Sequence, residues 1–184
     1  MKKSIQLLVA ICILTVFGCK QNSEASVETT AEENATPAVG QSAVVDETSS
    51  PNIVQTASGS KDHTTLVTAV KAAGLVDVLS NAGPFTVFAP TNAAFDKLPK
   101  GTVEGLLEPS KKDDLKNILE YHTYVGNLKT EYMQDGQENE QVNGGKIKIT
   151  KVGDKVFVNG SEIVASITTA NGMIHVINDV LLPK

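Results

Sequence analysis

Arginine is missing from this 184-residue chain, so its 16 basic residues are all lysines. Two-pronged phosphate recognition favours arginine's planar guanidinium, and a nucleic-acid surface needs a basic patch or stripe. The formal net charge is −5 and the lysines form no stripe, so no nucleic-acid partner is expected. Cysteine is nearly as scarce, with only Cys12 and Cys19. Both lie in an N-terminal stretch read below as processed. The remaining domain then carries no thiol. That excludes disulfides, thiol catalysis and cysteine-ligated zinc, and leaves the fold to its hydrophobic core.

Catalytic constellations are lacking as well. The histidines are His63, His122 and His175, and no pair has metal-ligand spacing. No glycine-rich phosphate loop follows a strand, and Ser110 and Ser161 have no nucleophile-elbow context. The stretch 131–145 gathers Asp135, Glu138, Glu140, Asn139 and Asn143. Oxygen ligands suit calcium, but Gly136 is out of register for an EF-hand loop, so the stretch reads as a solvated acidic loop. No metal, no cofactor and no enzymatic activity are expected.

What is present begins with a targeting segment. Lys2 and Lys3 precede an apolar run, Ile5 to Phe17, too short to span a membrane comfortably. Gly18-Cys19 then resembles a bacterial lipobox, which implies a signal peptide over 1–18 and lipidation of Cys19. Residues 19–50 follow as a flexible acidic linker. Lys20 stands against Glu24, Glu28, Glu32, Glu33, Asp46 and Glu47, a net of −5. As a coil this tether would hold the domain about 30 Å from the membrane. The expected location is the cell envelope, lipid-anchored, at the surface or periplasmic face of an outer membrane.

Residues 51–184 suffice for one domain. Helices are predicted near Pro51 to Ala57, then after Asp62 as N-cap with Leu66, Val67, Val70 and Ala73 inward, ending at Gly74. Leu75 to Leu79 adds a turn. Phe85 to Ala89 alternates as a strand up to Pro90, and Thr91 or Asn92 caps a helical turn that Pro99 stops. Thr102 is read as the next cap. Ser110 to Asp113 resembles a capping box, opening a helix with Leu115, Ile118 and Leu119 inward. Tyr124 and Val125 are read as core. The last third is β: Lys146 to Val152, Val156 to Val158, Glu162 to Ile167 and Met173 to Asn178, with hairpin turns at Gly153-Asp154, Asn159-Gly160 and Asn171-Gly172. Helices first and hairpins last give an α+β fold. His175 reads as a half-buried, internally hydrogen-bonded histidine, and His122 as a structural residue at a helix end.

Three blocks carry a family resemblance. Phe85, Thr86, Val87, Phe88, Ala89, Pro90, Thr91, Asn92 and Phe95 resemble the first signature box of the fasciclin domain. His175, Val176, Ile177, Leu181 and Pro183 resemble its second box, and Tyr121-His122 its tyrosine–histidine pair. Asn92 stands where many members carry Asp. The resemblance implies a compact β-sandwich-like core of mostly antiparallel strands, wrapped by short helices, with the two boxes as neighbouring central strands. It also implies an extracellular adhesion module that binds a protein or polysaccharide. Tyr121 and His122 would be the possible adhesion motif, the pair linked to integrin-type adhesion in animal relatives. Two alternatives stay open. One is an envelope-structural lipoprotein with a periplasmic partner. The other is an enzyme joining His122 and His175 to Asp96, Asp179 or Tyr121.

Overall fold

The computed structural model describes residues 50–183. The targeting segment, Cys19 and nearly all of the linker lie outside these residues. The described chain opens with α1 (Ile53–Ser58), capped two residues later than predicted. Asn52 and Gln55 exchange side-chain and backbone bonds in a capping box. α2 (Thr64–Ala73) follows a 3-10 turn over Lys61–His63. Asp62 therefore sits inside that turn and is not the cap of α2. Leu66, Ala69, Val70 and Ala73 form the buried stripe of α2, and Gly74 ends it at φ 74°. α3 (Val76–Ser80) leads to β1 (Phe85–Pro90).

Beyond β1 come α4 (Asn92–Asp96), α5 (Thr102–Leu106) and α6 (Lys112–Tyr121). Thr91 is the cap of α4, its hydroxyl accepting from the Ala94 N–H at 3.3 Å. Asn92 instead reaches back to α2. Its Oδ1 accepts from the Thr65 N–H at 3.1 Å, and its Nδ2 donates to the Lys61 carbonyl at 2.9 Å. It thus satisfies an orphan donor at the start of a different helix, and the carboxamide serves as both donor and acceptor, which an aspartate cannot do. Two cap assignments fail for local reasons. Gly101, in the left-handed region at φ 86°, precedes α5, so Thr102 is its first residue. Ser110 is absorbed in a 3-10 turn over Pro109–Lys111, and its hydroxyl contacts Glu108 instead of capping α6.

The strands that follow are β2 (Thr123–Val125), β3 (Glu138–Glu140), β4 (Lys146–Val152), β5 (Lys155–Val158), β6 (Ser161–Thr169) and β7 (Gly172–Ile177). They form one sheet with β1 in the order β2-β1-β7-β6-β5-β4-β3. β1 and β7 run parallel and are direct neighbours, and every other pair is antiparallel. The two signature boxes are therefore adjacent strands. The sheet curls until its ends meet, where the Val142 N–H donates to the Thr123 carbonyl at 2.9 Å. The result is nearly a barrel with helices on one flank.

Two cores follow from the period of two along β1 and β7. Val87, Ala89, Ile174 and Val176 face the helices and pack with Ile53, Leu66, Val70 and Leu119. Phe88 and Ile177 face the inside of the curl, with Tyr121, Met133, Ile147 and Val158. Val125 departs from its expected place in the core. It is 64% exposed, at the far end of a three-residue strand whose first residue on the same face, Thr123, is buried. The acidic stretch 131–145 is more ordered than a solvated loop. It contains β3 and buries Met133, Asn139 and Gln141.

Candidate functional site

The Tyr121–His122 pair sits where the two cores touch. Leu115 and Leu119 turn the buried face of α6 toward the helices. Tyr121, two positions on, emerges about 200° around the helix and so enters the inner core. Its ring lies against Gly145, where a Cβ would come within 2.7 Å of it. The hydroxyl donates to the Lys146 carbonyl at 2.8 Å and accepts from Asn159 Nδ2 at 2.9 Å. Asn159, in the left-handed region at φ 50°, also accepts from the Lys148 N–H through Oδ1 at 2.9 Å. One phenol thus ties α6 to β4 and to the β5–β6 turn.

His122 is 2% exposed. Its Nδ1 is 2.8 Å from the Ile118 carbonyl, and its Nε2 is 3.0 Å from the Leu181 N–H. A carbonyl only accepts and an amide N–H only donates, so Nδ1 carries the proton and Nε2 is bare. The ring is neutral. Burial pushes its pKa down to about 4, against a smaller upward pull from the Ile118 carbonyl. His175 has the opposite tautomer. Nε2 donates to the Leu128 carbonyl at 2.6 Å, and Nδ1 accepts from the Ser166 hydroxyl at 2.8 Å. Its ring stacks on Phe88 with centroids 5.6 Å apart. It is fully buried, not half-buried, because the loop carrying Leu128 crosses over it. Burial lowers the pKa of His175 and of His63 too.

The enzyme alternative needed His122, His175 and a carboxylate in one open pocket. The two rings are taken up by separate internal partners. Asp179 lies at the surface, 2.6 Å from Lys97 Nζ. Among the described residues no group of three His, Cys, Asp or Glu is placed to hold a metal ion. Two apolar cavities beneath the helices have free volumes of only about 20 and 30 Å³, room for a water or so. A surface groove of about 520 Å³ runs past Lys148, Thr150, Asn159 and Asp179.

The remaining signature residues are framework. Thr86 is fully buried. Its hydroxyl donates to the Gly126 carbonyl at 2.7 Å and accepts from the Leu128 N–H at 2.9 Å. Pro90 closes the β1–β7 register opposite Ile177, and Phe95 packs on the helix-side core. Leu181 is buried in the inner core, and Pro183 borders a groove beside Tyr121.

One hub escaped the sequence reading. Asn171 accepts from the Ile53 N–H at 2.9 Å and donates to the carbonyls of Leu79 and Asn81, both at 2.8 Å. It joins α1, α3 and the β6–β7 turn. In sequence it signals only a turn, since its three partners lie far away along the chain.

The family model described as the Fasciclin domain matches residues 61–183. The chain belongs to the fasciclin family. This fasciclin chain is 43% identical over 183 residues to Protein sll1483 of Synechocystis sp., covering 98% of each chain. It is 39% identical over 110 residues to the Cell surface glycolipoprotein MPB83 of Mycobacterium bovis, covering 59% of this chain and 48% of that one. Among solved structures it resembles a FAS1 domain pair from the insect cell adhesion molecule Fasciclin I. The TM-score is 0.61 at 17% identity, over 72% of this chain and 51% of that one, a likeness of fold. Fasciclin domains are known for cell adhesion and extracellular binding, generally without enzymatic activity.

Within this fasciclin domain Tyr121 and His122 act as staples. Tyr121→Phe strands the Lys146 carbonyl and the Asn159 amide. The expected loss is roughly 1–3 kcal/mol, read as a lower denaturant midpoint with an unchanged slope.

Proposed function

We propose that this chain is a lipid-anchored adhesion module of the bacterial envelope. A signal peptide over 1–18 is removed, Cys19 carries the lipid, residues 19–50 form the tether, and residues 51–184 form the binding domain. Its partner is an extracellular protein or polysaccharide, and it performs no catalysis. The fasciclin match over 61–183 carries this reading. The names of its relatives, a cell surface glycolipoprotein and a cell adhesion molecule, support it. So does the internal use of His122 and His175. No helix among the described residues is long and apolar enough to cross a membrane. Tyr121 and His122 are only 3% and 2% exposed. They serve adhesion by holding the surface in shape, while the lysine- and asparagine-lined groove at Lys148 and Asn159 presents polar groups to a ligand.

Protease shaving of intact cells tests the reading. The tether is cut and the domain released when it stands outside the cell, and the released domain then binds saturably on matrix-protein or glycan arrays. Protection until the outer membrane is opened would remove cell adhesion and favour a periplasmic partner. Release without any saturable binding would sink the adhesive role while keeping the location.

A further inference from the structure

The curled sheet has an open seam. β5 pairs with β6 only at Phe157–Glu162 and Val158–Ser161. Beyond that, Ile163–Thr169 pair only with β7 among the described residues. Among the described residues nothing pairs with their other edge as far as Ala170, whose N–H donates to the Pro51 carbonyl at 3.1 Å, and Val164 through Thr168 are all exposed. Val164 is 49% and Ile167 40% exposed.

Proteins guard such edges with charge or proline, because a row of unpaired N–H and C=O groups templates another strand. Among the other strands β3, β4 and β5 carry charge on their exposed faces, while β2 is uncharged. Lys146 and Lys148 lie on the exposed face of β4, Glu138 and Glu140 on β3 and Lys155 on β5. The run 163–170 (Ile-Val-Ala-Ser-Ile-Thr-Thr-Ala) has neither charge nor proline, and no lysine occurs between positions 156 and 183. Only the register shift between Ile163 and Ala165 interrupts it, leaving Ala165–Thr169 as a regular stretch.

We infer that the free edge of β6 is a docking surface for a second copy of the chain, the two β6 strands pairing antiparallel about a two-fold axis. A two-fold contact must tolerate its own image. An edge carrying charge of one sign would repel itself, since like charges directly opposite are destabilising. This one has none to oppose. With Ser166 on the axis, Ala165 faces Ile167, a small residue against a larger one, and Val164, at the register shift, meets Thr168, a residue of nearly its own size. A five-residue strand pair covers far less than the roughly 1,000 Å² that marks a standing interface, so the dimer is weak and forms where copies are crowded.

Sedimentation velocity on the full chain in detergent, from micromolar to millimolar concentration, tests this. The sedimentation coefficient rises from monomer to dimer. Ile167→Lys and Thr168→Lys, both at exposed positions, each raise the dissociation constant by at least about tenfold. Amide exchange slows as concentration rises at those N–H groups of Ala165–Thr169 that point away from β7, the alternate ones being bonded to β7 already. A monomer throughout the range overturns the inference. So does a dimer that neither lysine weakens, which would place the contact elsewhere. Slow exchange at these outward amides already at the lowest concentration also overturns it, since the chain's own N-terminal residues would then cover the edge.

Discussion

Gly172→Ala is expected to leave no folded domain under conditions where the parent chain is stable, with a loss exceeding about 4 kcal/mol. Gly172 opens β7 at φ 155° and pairs with Phe85 across the parallel β1–β7 ladder. A Cβ there would sit 1.9 Å from the Phe85 carbonyl oxygen and 2.8 Å from its amide nitrogen. Both obstacles are backbone, so no rotamer change relieves them. The two signature strands must move apart, and the strain falls on the ladder that both cores share. Gly153→Ala is the control. Gly153 also has a positive φ, 61°, but nothing lies within 4 Å of its added Cβ. That variant meets only the left-handed backbone cost, about 1–2 kcal/mol, and is expected to fold. Circular dichroism and denaturant melts of both variants separate the two costs. Equal losses would mean that conformation, not close approach, governs Gly172.

Much of this frame could be read from residue order. Alternation along Phe85 to Ala89 and Met173 to Ile177 placed each side chain on its correct face, since a strand has one period and two faces. The Asn159-Gly160 and Asn171-Gly172 turns announced their hairpins. That β1 and β7 are neighbours came from the family resemblance alone, because their contacts span more than eighty positions and local patterning carries no such information; that they run parallel was not legible in the sequence. What stayed hidden involves side chains whose partners are distant. Asn92 looked like a local cap and proved to cap α2. Asn171 looked like a turn residue and proved to bind α1 and α3. Met133 is one apolar residue in a polar run, without any period to mark it, yet it is 1% exposed. Ser110 and Thr102 matched capping patterns, but 3-10 and left-handed geometry just upstream had already set where their helices begin.

The same hidden contacts make the domain acid-sensitive in a way that carboxylates alone would not. His122 has a folded-state pKa of about 4, below the ordinary 6.5. The unfolded chain therefore takes up this proton first. The stability tied to the neutral ring is complete above pH 6.5 and is lost as pH falls toward 4, at about 1.4 kcal/mol per pH unit and roughly 3 kcal/mol in all. His63 and His175 are lowered too and act in the same direction. They differ in what protonation breaks. At His175 the Ser166 hydroxyl can rotate and accept from a protonated Nδ1. At His122 a new Nε2–H would face the Leu181 N–H, donor against donor, with no rotor to adjust. The C-terminal segment should therefore loosen first. Denaturant melts between pH 6.5 and 5 should show a falling midpoint, above the range where most carboxylates titrate. His122→Gln should lower stability at neutral pH but flatten that slope by one proton. Amide exchange at Leu181 should accelerate across the same interval in the parent chain and not in the variant. An unchanged slope in His122→Gln would mean that the ring's protonation is not coupled to folding, and that the Leu181 contact is incidental to it.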